Sequence, residues 1–129
     1  MATIEQAIYS ILSSASSISS VVGTRIYRVK MPDNPTLPAI TFQTSYGSGI
    51  ESFDGDSGLR NPIIAIDFWA KSAGAASDLA ERARKILLGY SGVHQDIRID
   101  NVLEWSHVDL FESETEIYHV SSSERFWYY

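Results

Sequence analysis

The chain is 129 residues long, carries a formal net charge of −6 and contains no cysteine. That length suits one domain, which buries roughly two-thirds of the surface its unfolded chain exposes. The missing thiols exclude a disulfide framework, a thiolate zinc site and a cysteine nucleophile, and the acidic balance argues against the counterion-releasing contacts that specific nucleic-acid binding needs.

The charge is unevenly spread. Residues 1–50 carry Arg25, Arg28 and Lys30 against Glu5 and Asp33, a balance of +1, which leaves −7 for the remainder. Between Glu104 and Glu116 there are five carboxylates and no Lys or Arg. No apolar run approaches the roughly 20 residues of a membrane span. The opening MATIEQAIYS lacks the basic start and apolar centre of a signal peptide. The expectation is a chain kept in a reducing cytoplasm, away from membranes.

In chain order, Ile4, Ala7, Ile8, Ile11 and Leu12 follow the spacing of one buried helical face, and Thr3 with Gln6 forms a capping box at its start. Ile18, Val21 and Val22 mark a brief helical turn within a serine-rich stretch, stopped by Gly23. TRIYRVK, residues 24–30, reads as a strand, and the three prolines of 31–38 as an irregular connection. In 39–46, Ile40 and Phe42 point inward while Thr41 and Gln43 point outward. A glycine-rich loop over 47–58 leads to a strand over 62–70, with Ile64, Ile66 and Phe68 on one face.

A second helix covers 74–88, with Ala76, Leu79, Ala80, Ala83, Ile86 and Leu87 on its inner side and Asp78–Arg82 and Glu81–Lys85 spaced as i, i+4 pairs outside. Gly89 ends it. Residues 97–105, 107–111 and 117–129 are extended, the first two allowing one long bent strand. This order predicts an α+β fold in which an antiparallel β-sheet carries two main helices on one face, a two-layer sandwich spanning residues 1–129 as a single domain.

Candidate chemistry is sparse. Asp54-Gly55-Asp56-Ser57-Gly58 has the acidic, glycine-broken form of a cation loop, but Leu59 and Ala65 stand where an EF-hand places its glycine and terminal glutamate. A strand-to-strand turn is the favoured reading of it. His107 and His119, near Glu104 and Asp109, would meet across a hairpin and supply two metal ligands, or else lie exposed on strands. Gly47-Ser48-Gly49 lacks the spacing of a nucleophile elbow, and the sequence holds no phosphate loop. No catalytic residue, metal or cofactor is assigned.

The closing RFWYY is more informative. Alternation puts Phe126 and Tyr128 on one face of the last strand and Trp127 and Tyr129 on the other, which Trp69 and Trp105 are expected to share. Those rings either cover the back of the sheet or make an interface, where Trp and Tyr are enriched.

The order and spacing of several short segments resemble the tail-completion, or tail-terminator, proteins of long-tailed bacteriophages and prophages. The segments are the N-terminal amphipathic helix, VGTRIY at 22–27, LPAITFQ at 37–43, DGDSGL at 54–59, IDFWA at 66–70, LAERARKIL at 79–87 and YHVSSSERFWY at 118–128. The resemblance implies a homo-oligomeric ring, typically a hexamer, that caps the tail tube, halts its polymerisation and joins tail to head, with no cofactor and no catalytic residue. Its implied partners are further copies of itself, the tail tube protein and a neck or head-completion protein. Its implied place is the head–tail junction of the virion, after assembly in the host cytoplasm.

Under that resemblance the 47–60 segment becomes a long hairpin-like connection reaching toward a neighbouring subunit, or toward the tube or neck protein, with Tyr46, Ile50, Phe53, Asp54, Asp56, Leu59 and Arg60 as contact residues beside Trp69, Trp105 and Trp127. Glu104, Asp109, Glu112, Glu114 and Glu116 would line an acidic channel that does not trap passing DNA. Three alternatives stay open: a neck or head-completion protein, a monomeric module that binds a peptide by strand addition, and a small metal-dependent hydrolase using Asp54, Asp56 and His107 or His119.

Overall fold

The computed structural model describes residues 3–46, 49–52, 55–113 and 116–129; the side chains of residues 46, 49–52, 55–57, 105 and 112 fall outside that description. Helix α1 spans Ile4–Ser14, and its capping box is present: the Thr3 hydroxyl accepts from the Gln6 amide, and the Gln6 side chain accepts from the Thr3 amide. Ile4, Ala7, Ile8, Ile11 and Leu12 are all buried, as their spacing requires. The serine-rich stretch forms a short helix α2, Ser16–Val22, ended by Gly23 at φ 59°, a conformation that costs a side-chain-bearing residue far more. Helix α3 spans Ala73–Leu87, capped by the Ser72 hydroxyl.

The strands are β1 (Ile26–Arg28), β2 (Ala39–Tyr46), β3 (Gly49–Ser52), β4 (Gly55–Arg60), β5 (Ile63–Ala70), β6 (Gly92–His94), β7 (Ile97–Glu112) and β8 (Ile117–Tyr128). Across the sheet the neighbours run β1, β2, β5, β8, β7, with β6 against the start of β7. All these pairs are antiparallel except β1 with β2. That parallel pair departs from the all-antiparallel expectation. The proline-rich 29–38 segment carries the chain back so that β2 lies beside β1 in the same direction instead of turning back on it.

Within the 47–60 segment, read from its glycines as a loop and under the resemblance as a hairpin-like connection, residues 49–52 and 55–60 are strands. β3 and β4 pair with each other, and they prolong the β2–β5 hairpin beyond the point where β2 and β5 stop. β4 touches β8 in the ladder only at Arg60 opposite Tyr128. The break between β4 and β5 falls at Asn61-Pro62, where proline has no amide hydrogen to donate; its carbonyl instead accepts from the Phe126 amide. Gly58 sits at φ 83°, so the kink in β4 needs glycine.

One face of the sheet packs under all three helices. Ile40 and Phe42 of β2, Ile64, Ile66 and Phe68 of β5, Val120 and Phe126 of β8, and Ile99 and Val102 of β7 form one buried cluster with the inner faces of α1, α2 and α3. The short α2, read from the sequence as a brief helical turn, joins the two main helices on this face. Arg82 ties the layer sideways, pairing with Asp78 at 2.8 Å and donating to the Ser17 carbonyl of α2 at 3.1 Å.

Phe126 is fully buried at the centre of this cluster. Phe126→Ala is expected to lower the unfolding free energy by about 3–5 kcal/mol, read from urea denaturation followed by circular dichroism.

Candidate functional site

Strand alternation divides the sheet's residues between a helix-covered face and an open face, but two bulges in β7 change the count. The register slips between Ile99 and Asn101 and again between Glu104 and Ser106. Each inserted residue reverses the parity of the strand beyond it. The helix side of β7 therefore carries Ile99, Val102 and Glu104, then His107, Asp109 and Phe111. The open side carries Leu103, then Val108 and Leu110, opposite Arg125, Ser121 and His119 of β8.

This parity separates the two histidines expected to meet across the hairpin. His107 lies opposite Ser122 on the helix side, and His119 lies opposite Leu110 on the open side. They cannot share an ion. Among the described residues no group of three or more His, Asp or Glu is placed to hold a metal. His107 stands 4.0 Å from Glu104 and 3.8 Å from Asp109, while Glu104 is held by Arg84 of α3 at 3.0 Å.

The open face is less bare than the sequence suggests. Trp69 stacks on His119 with ring centroids 4.0 Å apart, and its indole N–H donates to the Thr41 hydroxyl at 3.0 Å. Thr41, expected outside, is buried beneath it. The 29–35 segment arches over this end and leaves a hollow of about 380 Å³ bounded by Thr41, Gln43, Asp67 and Trp69. Trp127 shares the face, since residues 119 to 127 alternate to the same side, but eight residues of strand separate it from His119 and Trp69, roughly 27 Å. Trp69 and Trp127 thus form two separate aromatic spots.

The other expected contact residues are scattered. Leu59 and Arg60 end β4, half-buried against the last residues of β8. Tyr46, Ile50 and Asp56 occupy β2, β3 and β4, and Trp105 and Glu112 occupy β7, but their side chains lie outside the description. Phe53, Asp54 and Glu114 lie outside the described residues altogether. Glu116 is exposed in the β7–β8 turn at φ 55°.

Two opposite edges of the sheet stand out. Beyond its short pairing with β6, the outer backbone edge of β7 has no strand beside it among the described residues. It bears Leu103, Val108, Leu110 and Phe111, each about half exposed. Phe111 is steadied by Tyr118, with ring centroids 4.6 Å apart. Among the described residues Asp109 faces His107 but no Lys or Arg within ion-pair distance. At the far edge, α1 and β1 enclose an apolar groove of about 230 Å³ lined by Glu5, Gln6, Tyr9, Arg28 and Phe42. There Arg28 pairs with Glu5 at 3.2 Å, and Thr44 donates to the same Glu5 oxygen at 3.3 Å.

One residue that sequence reasoning missed is Glu124. It faces the helices between Ser122 and Phe126, and only 5% of it is exposed. Its Oε1 accepts from the Ser122 hydroxyl at 2.7 Å, while its Oε2 is buried with no partner among the described residues. Burial pushes its pKa from the ordinary 4.5 to about 7; Ser122 opposes the rise and the cross-strand Glu104 adds to it. Strict alternation with Val120 and Phe126 was the available signal. It was masked by the charge, which reads as a solvent residue.

Against this geometry, three comparisons bear on identity. A family model described as Tail completion protein gp17 matches residues 6–129. No curated protein matches the sequence. Fifteen solved chains match in fold. One belongs to the virion of a native gene transfer agent particle, with a TM-score of 0.74 and 15% identity over 94% of this chain and 90% of that one. At that identity the likeness is one of fold.

The buried carboxyl makes stability depend on pH, with a definite sign. Between pH 4.5 and about 7 the unfolded chain loses the Glu124 proton while the folded chain keeps it, so this residue makes stability fall as pH rises through that window. Glu124→Gln is expected to remove the fall and to leave the variant more stable than the native chain at pH 8, by at most about 3 kcal/mol. Urea midpoints at pH 4.5 and pH 8 measure it.

Proposed function

Because the chain belongs to the tail completion protein gp17 family, we propose that it is a structural component of a phage-type tail that assembles as a ring on the end of the tail tube. The ring stops further tube subunits from adding and offers its outer surface to a neck or head-completion protein. The observation that carries this reading is the family match over residues 6–129, nearly the whole chain. A fold shared with a chain of a gene transfer agent virion supports it.

The physical features agree with work done by surfaces. Assembly of this kind asks for no enclosed reaction site. What the fold presents instead is a hairpin arm, β3–β4, running past the body of the sheet, and a long strand edge on β7. Such features reach neighbours. A net charge of −6 keeps the protein from clinging to DNA that passes through a ring.

The experiment is to polymerise the tail tube protein of the same virus with and without this chain and to measure tube lengths by negative-stain microscopy. Shorter tubes, each ending in an added ring with a central hole, are the expected result. Unchanged lengths and bare ends would sink the reading.

A further inference from the structure

We propose that the outer half of β7, from its second bulge to the hairpin end, is a proton-linked flap over Glu124, closed while that carboxyl is neutral and lifted when it ionises. The flap works within one chain and does not depend on ring assembly.

Geometry supplies the group that moves it. Glu124 lies directly opposite Glu104 in the β7–β8 ladder, a position at which like charges repel. Its Oε1 is taken up by the Ser122 hydroxyl at 2.7 Å, and its Oε2 is buried without a partner among the described residues. A neutral carboxyl tolerates that site, but a carboxylate there lacks both water and a cation. From β5 it faces the apolar Ile64. From α3 the Arg84 guanidinium is committed to Glu104 at 3.0 Å, while Asp78 and Arg82 pair with each other and Glu81 and Lys85 are exposed. From β7, beyond the bulge, His107 stands opposite Ser122, 4.0 Å from Glu104 and 3.8 Å from Asp109.

β7 is built to yield beyond Glu104. Before the bulge, the Gly89 amide at the end of α3 donates to the Val102 carbonyl at 2.9 Å and fixes the strand to the helix layer. Past Val102 the Arg84–Glu104 pair is the one side-chain bond from α3 to β7 among the described residues. The bulge between Glu104 and Ser106 interrupts the pairing with β8, and no strand among the described residues covers the outer edge there. The Glu104 side chain is already 32% exposed, so a small outward shift of the bulge brings water to Glu124.

In the closed form Arg84 has one carboxylate to hold. When Glu124 ionises, two opposed carboxylates share that one guanidinium, and the buried one gains most by reaching water. Burial, opposed by Ser122 and reinforced by Glu104, sets the Glu124 pKa at about 7. The closed form is therefore favoured at low pH and loses ground as pH rises from 4.5 through about 7.

Amide hydrogen exchange of the native chain at pH 5 and pH 8, corrected for intrinsic rates, tests the flap. Amides of residues 106–112 are expected to exchange faster than those of the β2–β5 ladder at both pH values. Their protection is expected to fall by about tenfold or more between pH 5 and pH 8. The fall has a ceiling of roughly a hundredfold, reached when the released carboxyl regains its ordinary pKa. Glu124→Gln removes the fall, whereas His107→Gln keeps it, which separates the carboxyl from the nearby imidazole. Protection over 106–112 that is unchanged or greater at pH 8 overturns the flap, since the ionised carboxyl is then held without opening. Protection equal to that of the β2–β5 ladder at both pH values overturns it too, because Glu124 then reaches water only when the whole chain unfolds. A fall that survives in Glu124→Gln, or vanishes in His107→Gln, assigns the response to another group and also overturns it.

Discussion

Everything in this fold hangs on β8, a long strand hydrogen-bonded along both edges, to β5 on one side and β7 on the other. A doubly paired strand has no freedom to slip, because a shift by one residue would exchange its buried and exposed sets. Val120, Ser122, Glu124 and Phe126 therefore face the helices, and His119, Ser121, Ser123, Arg125 and Trp127 face away. Glu124 shows how strong that constraint is. The ladder holds a carboxyl in the core with one oxygen unpartnered among the described residues, and burial there raises its pKa to about 7.

From β8 outward the molecule becomes progressively less satisfied. Its centre is capped by three helices, but the sheet ends in two dissimilar edges and in hairpins that outrun their neighbours. β7 leaves much of its outer backbone without a strand partner among the described residues and places apolar side chains there. Sheet edges of that kind are normally blunted or covered. In a protein of a tail-completion family, an edge left open is a surface available to a neighbour in the particle. Fold likeness at 15% identity fits the same picture, since a core can keep its shape while its surfaces are rebuilt for different neighbours.

Much of this is legible from pattern alone. The buried stripe of α1, its capping box, the inward set of β5 and the inner face of α3 lie where local spacing puts them, because helix and strand periods are properties of consecutive residues. The family, too, is legible, through short segments in a fixed order. The misreadings share one cause. The 47–60 segment looks like a loop because glycine and aspartate favour turns, but residues 49–52 and 55–60 pair with each other as strands. Thr41 does point outward, as its alternation says, but nothing in its neighbourhood announces that Trp69, 28 residues away, covers it there. His107 and His119 look like neighbours because a bulge leaves no mark in the residues that make it.

Residue order alone carries an inventory: the kinds of elements, their inner faces, the uneven charge and the family. Which residues meet is a property of the folded chain. That includes the parallel entry of β1, the parity of β7 after its two bulges and the burial of Glu124. The reason is physical. Periodicity is set by covalent geometry within a few residues, whereas register and strand order are set by the pairing of distant backbones, and one inserted residue there changes the face of every side chain beyond it.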